Sequence, residues 1–439
     1  MKKILIAGAG QGGLSAGYNL ASAGFDVTIF EKRERGKTGH DWHDVFNSDT
    51  FDCSGVPDPF PVKKESGILR KAYDPDFISP DMKHVVKNPK KPSWSCYYLD
   101  RKFLSDYLIS ECEKAGVKFV FGAEVLSPVC YEKKVYGLNI QKDGKKFIVY
   151  GDMIIDSAGL YSPVRMNLPN NFGITKNYPE KDIFIIKRCY FDRTDDDETP
   201  DFYKLYFFLN GKLGIDWLQI YPGYADVLSG GFGSLTDLQV KNAHTSVRNA
   251  NKVVGDKIIR GGYEAKIPIS LTNQKIISDN FAVVGDSASM TVPINGSGIE
   301  LSMKAGKILA DVIINADGDY SAKNLWNYQF RYQKKFGEKF AGVRTVRLLL
   351  QTLSPDDVNY LFSSGIIDSE TAFMGGEGLK TKDILSKAAD AAVRKGIVLK
   401  ANKALAEYAR FKAAANMMPE KYDAEKVDRW VKLYNRLVF

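Results

Sequence analysis

Cysteine is scarce in this chain. Its 439 residues include five (Cys53, Cys96, Cys112, Cys130 and Cys189), an odd number, widely spaced and with no CxxC pair. That excludes a disulfide framework and the usual zinc spacings. Histidine is scarcer still, at four (His40, His43, His84 and His244). Only His40 and His43 stand close together, and no further ligands surround them, so no metal is expected. Long apolar runs are missing: nothing approaches the roughly 20 residues of a membrane-spanning helix. Ile4-Leu5-Ile6 follows two lysines in the manner of a secretory leader, but glycines interrupt it and no small-residue cleavage region follows. It therefore reads as the first strand of a cytoplasmic protein. A strong charge of one sign is also lacking. With 61 basic and 53 acidic side chains the formal charge is +8, which suits anionic ligands or surfaces and gives no argument for nucleic acid.

What remains is a soluble-type composition, 44% hydrophobic and 26% charged, which excludes a disordered chain. The length suggests two or three domains. The most informative segment is Lys3 to Glu31. A short apolar strand runs into Gly8-x-Gly10-x-x-Gly13, an alanine-rich helix follows from Leu14 to Ala23, and a second strand, Asp26–Phe30, ends at Glu31. In this strand–turn–helix–strand setting the glycines mark a dinucleotide site. Gly8 permits the tight turn, Gly10 lets backbone approach a pyrophosphate, and Gly13 brings helix and strand together. The helix N-terminus offers free N–H groups to the phosphates. Glu31 can accept from both ribose hydroxyls and disfavours a 2′-phosphate, leaving NAD and FAD open.

Farther along, Tyr97–Leu108 leads into a helix that closes at Gly116, and a hairpin is expected around Lys142-Asp143-Gly144-Lys145. Ile154-Ile155-Asp156 and Phe281–Gly285-Asp286 read as buried strands that end at a ligand edge. Residues 180–270 are β-rich, a long helix opens at Ile299 after the loop Thr291–Gly298, and the chain is mostly helical from Asn324 onward. Gly285-Asp286 can hold a ribityl and phosphate portion. The turn Asn295–Ile299 caps a helix whose N–H groups suit a ring that gains negative charge on reduction.

Four ordered motifs resemble the para-hydroxybenzoate-hydroxylase-like FAD superfamily, and within it the geranylgeranyl reductase branch, over residues 1–335. They are Gly8-x-Gly10-x-x-Gly13 with Glu31; Arg101 in Asp100-Arg101-Lys102-Phe103; Asp156-Ser157-Ala158-Gly159…Ser162…Arg165; and Gly285-Asp286-Ser287-Ala288…Pro293…Gly296-Ser297-Gly298-Ile299. The resemblance implies an α/β fold with a Rossmann-like FAD-binding domain of the para-hydroxybenzoate-hydroxylase type (1–46, 96–170 and 275–330). It adds a β-rich substrate-binding insert (47–95 and 171–274) and a helical C-terminal region (331–439). FAD would lie against Gly8, Gly10, Gly13, Glu31, Lys32, Arg101, Val125, Gly159, Gly285, Asp286, Asn295, Gly296, Gly298 and Ile299.

The branch's YxWxFP strand is similar to Trp217-Leu218-Gln219-Ile220-Tyr221-Pro222, with Gln219 in place of the inner Trp. Trp217, Gln219 and Tyr221 alternate onto one strand face and are expected to line a substrate pocket. The branch's Lys-x-Cys-Gly is absent; Gly36–Asp44 stands there, with Cys53 beyond it. His43 with Asp44, Cys53, Gln219 and Tyr221 are the candidate catalytic groups. The implied activity is reduction of carbon–carbon double bonds in a hydrophobic, isoprenoid-type substrate. With one nucleotide fingerprint in the chain, the electron donor must dock transiently, as NAD(P)H, ferredoxin or a quinol. The alternatives are a flavin monooxygenase (hydroxylase or halogenase) acting on an aromatic ring, and a non-catalytic flavin-binding redox protein. Residues 382–415 alternate bases (Lys382 to Lys412) with apolar residues, which suggests a peripheral contact with an anionic membrane, set against a solvated basic face on a packed helix.

Overall fold

A computed structural model describes residues 1–59, 69–72, 75–87, 94–195, 198–369, 386–387 and 395–438. The nucleotide half is built on a six-stranded sheet in the order Ile277–Ser278, Phe281–Val283, Met153–Asp156, Lys3–Ala7, Asp26–Glu31, Lys118–Phe121. The last five run parallel, and the first is antiparallel to its neighbour. Strands covered on both faces are apolar almost without a break, and Ile4, Leu5, Ile6, Ile154 and Ile155 are fully buried. The strand order reverses direction next to Lys3–Ala7, and a ligand crevice is expected at the carboxyl ends there.

The helices Gln11–Ser22 and Ile299–Asn315 cross closely over this sheet. Glycine at position 306 makes that approach possible, because a methyl group there would lie 2.3 Å from the carbonyl oxygen of Gly12. The expected hairpin is present as Lys134–Lys142 and Lys145–Tyr150. Its two turn residues, Asp143 and Gly144, both have positive φ (49° and 73°), as a two-residue hairpin turn requires.

The second half is a seven-stranded sheet: Val254–Pro268, Ile183–Arg193, Tyr224–Phe232, Ile215–Tyr221, Tyr203–Phe207, Asp76–Ile78, Val85–Val86. The strands from the β-rich insert and those from 76–86 thus share one sheet. Between the halves, His43–Asn47 and Leu69–Ala72 flank Trp94–Asp100.

The helix Ala322–Leu350 spans both halves. Its first part buries Leu325, Trp326 and Tyr328 in the core of the nucleotide half, and its last part adds Val346, Leu349 and Leu350 to the core of the other. An ion pair fixes that second part: Arg347 Nη2 lies 2.6 Å from Asp182, and Arg344 Nη2 lies 3.5 Å from it, all three side chains being buried.

Of the basic C-terminal stretch, the structure describes the helix Lys395–Asn416. Ile397, Ala401, Phe411 and Ala414 are buried in the protein cores. Lys400 and Lys412 pair with Asp357 and Glu338. These four apolar residues pack on the protein itself, whereas Leu399 on the same helix is 71% exposed. Of the basic stretch, Lys382, Ile384, Leu385, Val393 and Arg394 lie outside the described residues. Among the described residues no helix is long and apolar enough to cross a membrane.

Removing one partner of a buried ion pair leaves an uncompensated charge and costs about 3–5 kcal/mol. Asp182→Ala should lose stability of that order, read as a lower midpoint in urea denaturation. An exposed pair such as Lys118–Asp26 should change it by less than about 1 kcal/mol.

Candidate functional site

At the end of the first strand Gly8 has φ +85°, and its amide donates to the Phe30 carbonyl at 2.8 Å. Gly10 is the N-cap of the helix Gln11–Ser22 and has no side chain of its own to cap it. The structure adds a demand on the glycines that lies within the protein. A methyl at Gly8, Gly10 or Gly13 would stand 2.7–2.8 Å from the backbone or side chain of Ser157 on the neighbouring strand's end. The Gly13 amide donates to Ser157 Oγ at 3.0 Å. Gly10 is thus required by Ser157, before any pyrophosphate is considered. Glu31 accepts from the Ala9 and Arg33 amides, both at 2.9 Å, so the carboxylate is aimed and still has lone pairs to offer a ribose. Lys32 is exposed at the same rim.

Asp156 and Arg165, from the third motif, act inside the scaffold. Asp156 is fully buried and accepts from Ser162 Oγ (2.6 Å), the Ala158 amide (3.0 Å) and Ser287 Oγ (3.1 Å). Burial raises its pKa, and these hydrogen bonds oppose the rise. Arg165 is buried and donates to the carbonyls of Leu160, Thr175 and Lys176. Together they pin the loop after Met153–Asp156 to the Gly285–Ala288 turn, which places Gly159 and Gly285, both at positive φ, beside Asp286 at the cavity. Burial also raises the pKa of Asp286, and the charge of Arg101 opposes that.

Residues Asn295–Ile299 line the same cavity and lead into the helix Ile299–Asn315, again with no side-chain cap. Asp100 caps the helix Arg101–Lys114 through the Lys102 and Phe103 amides. Arg101 is thereby turned toward the cavity, held by Asp44 at 2.8 Å, and its Nε is buried without a partner. Two helix N-termini whose N-cap residues are glycines, an aimed carboxylate and an unsatisfied guanidinium N–H around one space fit a dinucleotide. Val125, in the strand Glu124–Tyr131, completes that wall.

The cavity measures about 1540 Å³, above the roughly 300–1,000 Å³ of a usual single-ligand site, and it continues past the nucleotide wall. Trp217, Gln219 and Tyr221 all line it, joined by Arg188 and Ile186 from the adjoining strands and by Tyr98. Tyr98 packs on Tyr221 (ring centroids 4.5 Å apart), and its hydroxyl lies 2.6 Å from that of the half-buried Tyr224. Burial raises the pKa of Tyr98 and Tyr221 well above the usual tyrosine range. Both hydroxyls therefore stay protonated at neutral pH.

Two candidate catalytic groups are not brought to this cavity. His43 is half-buried. It stacks on Tyr98 at 4.7 Å behind the cavity wall, its Nδ1 faces Arg260 Nη1 at 3.3 Å, and its pKa is lowered by burial and by Arg260. The Asp44 carboxylate is engaged with Arg101 and Arg188 instead of with the His43 ring. Cys53 is exposed on the short helix Thr50–Ser54, with its thiol near Asp49 and its pKa raised. His40 does line the cavity, stacked on Trp42 at 4.3 Å. Among the described residues no group of three His, Cys, Asp or Glu is placed to hold a metal.

Much of the rest of the wall is apolar and comes from elements outside the sequence motifs. Phe336, Phe340, Val343, Val346, Leu350 and Leu353 descend one side of the long helix and its end, and Leu361, Ile366 and Ile367 follow. They face Phe77, Phe207 and Leu228 of the seven-stranded sheet. Their three- and four-residue spacing is legible in the sequence, but such a stripe is ordinarily core.

Residues 6–54 match the model of the NAD(P)-binding Rossmann-like domain. The chain is 25% identical over 407 residues to the digeranylgeranylglycerophospholipid reductase of Sulfolobus acidocaldarius, covering 89% of this chain and 86% of that one. The reductase of the same name from Methanothrix thermoacetophila is 25% identical over 370 residues, covering 82% and 90%. The chain is thus similar to these reductases over most of its length. The fold agrees with a geranylgeranyl bacteriochlorophyll reductase-like protein of Thermoplasma acidophilum, at a TM-score of 0.73 and 19% identity over 92% of this chain and 99% of that one. It also resembles the flavin-dependent brominase Bmp2, at a TM-score of 0.63 and 15% identity over 93% and 99%. At these identities the two structures establish the shared fold alone.

The titration of two histidines sets a pH dependence. Burial lowers both His40 and His244 from 6.5 to about 4. Between these values the unfolded chain binds more protons, so stability rises with pH across that window and is lost as pH falls through it. Urea denaturation from pH 7 to pH 4 should show a loss of up to about 3 kcal/mol per histidine, and His40→Gln should remove its share of the slope.

Proposed function

We propose that the chain binds FAD along the wall from Gly8 to Ile299 and reduces carbon–carbon double bonds of an isoprenoid-type substrate held in the apolar arm. One observation carries this reading: the nucleotide wall and the long apolar arm are a single continuous cavity. Glu31 would hold the adenosine ribose, the Gly8–Gly13 turn and its helix the pyrophosphate, Asp286 the ribityl chain, and the Asn295–Ile299 turn with Arg101 the pyrimidine end of the flavin. Bound FAD supplies hydride chemistry from N5 once a transient donor has reduced it.

The protein's own groups do the rest. The stripe from Phe336 to Leu353 excludes water and extends the substrate chain. Trp217 and Tyr221 orient it from the sheet. The Tyr98 and Tyr224 hydroxyls link the cavity to a half-buried position, so a proton lost from Tyr98 can be replaced from solvent. Of the sequence candidates, Gln219 and Tyr221 keep access to substrate, whereas His43 acts only through Tyr98 and Arg260. The names and coverage of the reductase relatives support this activity over aromatic hydroxylation or halogenation.

The purified protein should be yellow. Gly10→Ala forces a methyl against Ser157 and should release most of the flavin, measured as the A450 to A280 ratio. Glu31→Ala should weaken retention about tenfold, the order of a lost charge-assisted hydrogen bond. Reduced anaerobically, the protein should be reoxidised by a geranylgeranyl lipid, with a saturated product by mass spectrometry. Reoxidation by oxygen alone through a peroxyflavin spectrum, with none by the lipid, would favour the monooxygenase.

A further inference from the structure

The cavity face of the seven-stranded sheet changes character along its length. At one end Phe77 and Phe207 are apolar; at the other Arg188 and Gln219 stand beside Tyr221. Strand register places Gln219 opposite Asp226, and Asp226 opposite Tyr190, two residues on from Arg188. The Arg188 guanidinium is buried, and its donors can be counted. Nε and Nη2 donate to the two oxygens of Asp226, and Nη1 donates to the His43 carbonyl and to Asp44. A guanidinium has five N–H groups, so one on Nη2 is left without an acceptor among the described residues. The Gln219 amide has no side-chain hydrogen bond among them either, although it lines the cavity.

Charge decides what these donors suit. Asp226, Arg188, Asp44 and Arg101 form a chain of alternating sign that sums to zero. An anion placed there would meet two carboxylates already coupled to the arginine, with no surplus positive charge to offset its desolvation. An uncharged oxygen needs only a donor.

Resting on the proposed isoprenoid reading, we infer that Arg188 and Gln219 form a specificity site for an uncharged oxygen (hydroxyl, ether or carbonyl) on the substrate, which selects against both a diphosphate and a bare hydrocarbon. Gln219 takes the position at which the related strand carries Trp, and it converts an aromatic contact into a hydrogen-bonding one.

The test is binding to the oxidised holoprotein, followed by quenching of tryptophan fluorescence, since Trp217 lines the cavity. The probes are geranylgeraniol, its methyl ether, geranylgeranyl diphosphate and the geranylgeranyl hydrocarbon ending in a methyl group. The alcohol and ether should bind about tenfold more tightly than the other two, as a hydrogen bond to a charged donor implies. Gln219→Leu should keep its flavin and its hydrocarbon affinity, and its preference should fall to about threefold or less. Equal binding of hydrocarbon and alcohol, tighter binding of the diphosphate, or a preference unchanged in Gln219→Leu would overturn the inference. If no probe binds, both the inference and the isoprenoid reading fall. If the oxygenated probes bind selectively but do not reoxidise the reduced flavin, only the reductase reading falls.

Discussion

The site depends on the buried carboxylate of Asp156. It receives Ser162, Ser287 and the Ala158 amide, and so ties together two stretches of chain separated by more than a hundred residues. The residue after it, Ser157, sets the height of the glycine turn by contact with Gly8, Gly10 and Gly13. A buried carboxylate without partners would be costly. With three donors it is a fixed point, and the nucleotide wall on one side and the Gly285-Asp286 turn on the other are positioned relative to it.

From that fixed point the cavity divides by chemistry. The nucleotide wall is made of backbone amides and a few charges at helix and strand ends, which suit phosphates and sugars. The sheet beyond it is mixed, with the tyrosine group of Tyr98, Tyr221 and Tyr224 packed ring on ring. The far arm is mostly apolar, with helices on one side and Phe77 and Phe207 of the sheet on the other. A substrate that reacts near the flavin while its chain lies in the arm has its position along the cavity set by this gradient, because each part is favourable only in its own surroundings.

The nucleotide half was legible because its chemistry is carried by backbone geometry, and glycine spacing records backbone geometry directly. Gly8, Glu31, Gly285 and Asn295–Ile299 all lie at the cavity for that reason. The alternation of Trp217, Gln219 and Tyr221 was equally readable, since a strand has a period of two. His43 and Cys53 misled because their types suggest reactivity, whereas their surroundings depend on tertiary packing: Tyr98 covers one and solvent surrounds the other. The sequence marks 331–439 only as a helical C-terminal region, because apolar helix stripes look the same whether they face a core or a ligand. Arg188 left no local signal, its carboxylate partners being 144 and 38 residues away.

The helix Ala322–Leu350 has a mechanical consequence. At 29 residues and about 1.5 Å per residue it is a rod roughly 43 Å long, anchored in one core at its start and in the other at its end. A hinge between the halves would have to bend it or pull Arg347 from Asp182. The two walls of the cavity are therefore held at a fixed separation, and the volume open to a substrate is set by side chains, without domain closure. The length of chain that fits is then written into single positions along the rod's inner face, and a change of one such residue alters capacity without altering the cofactor wall.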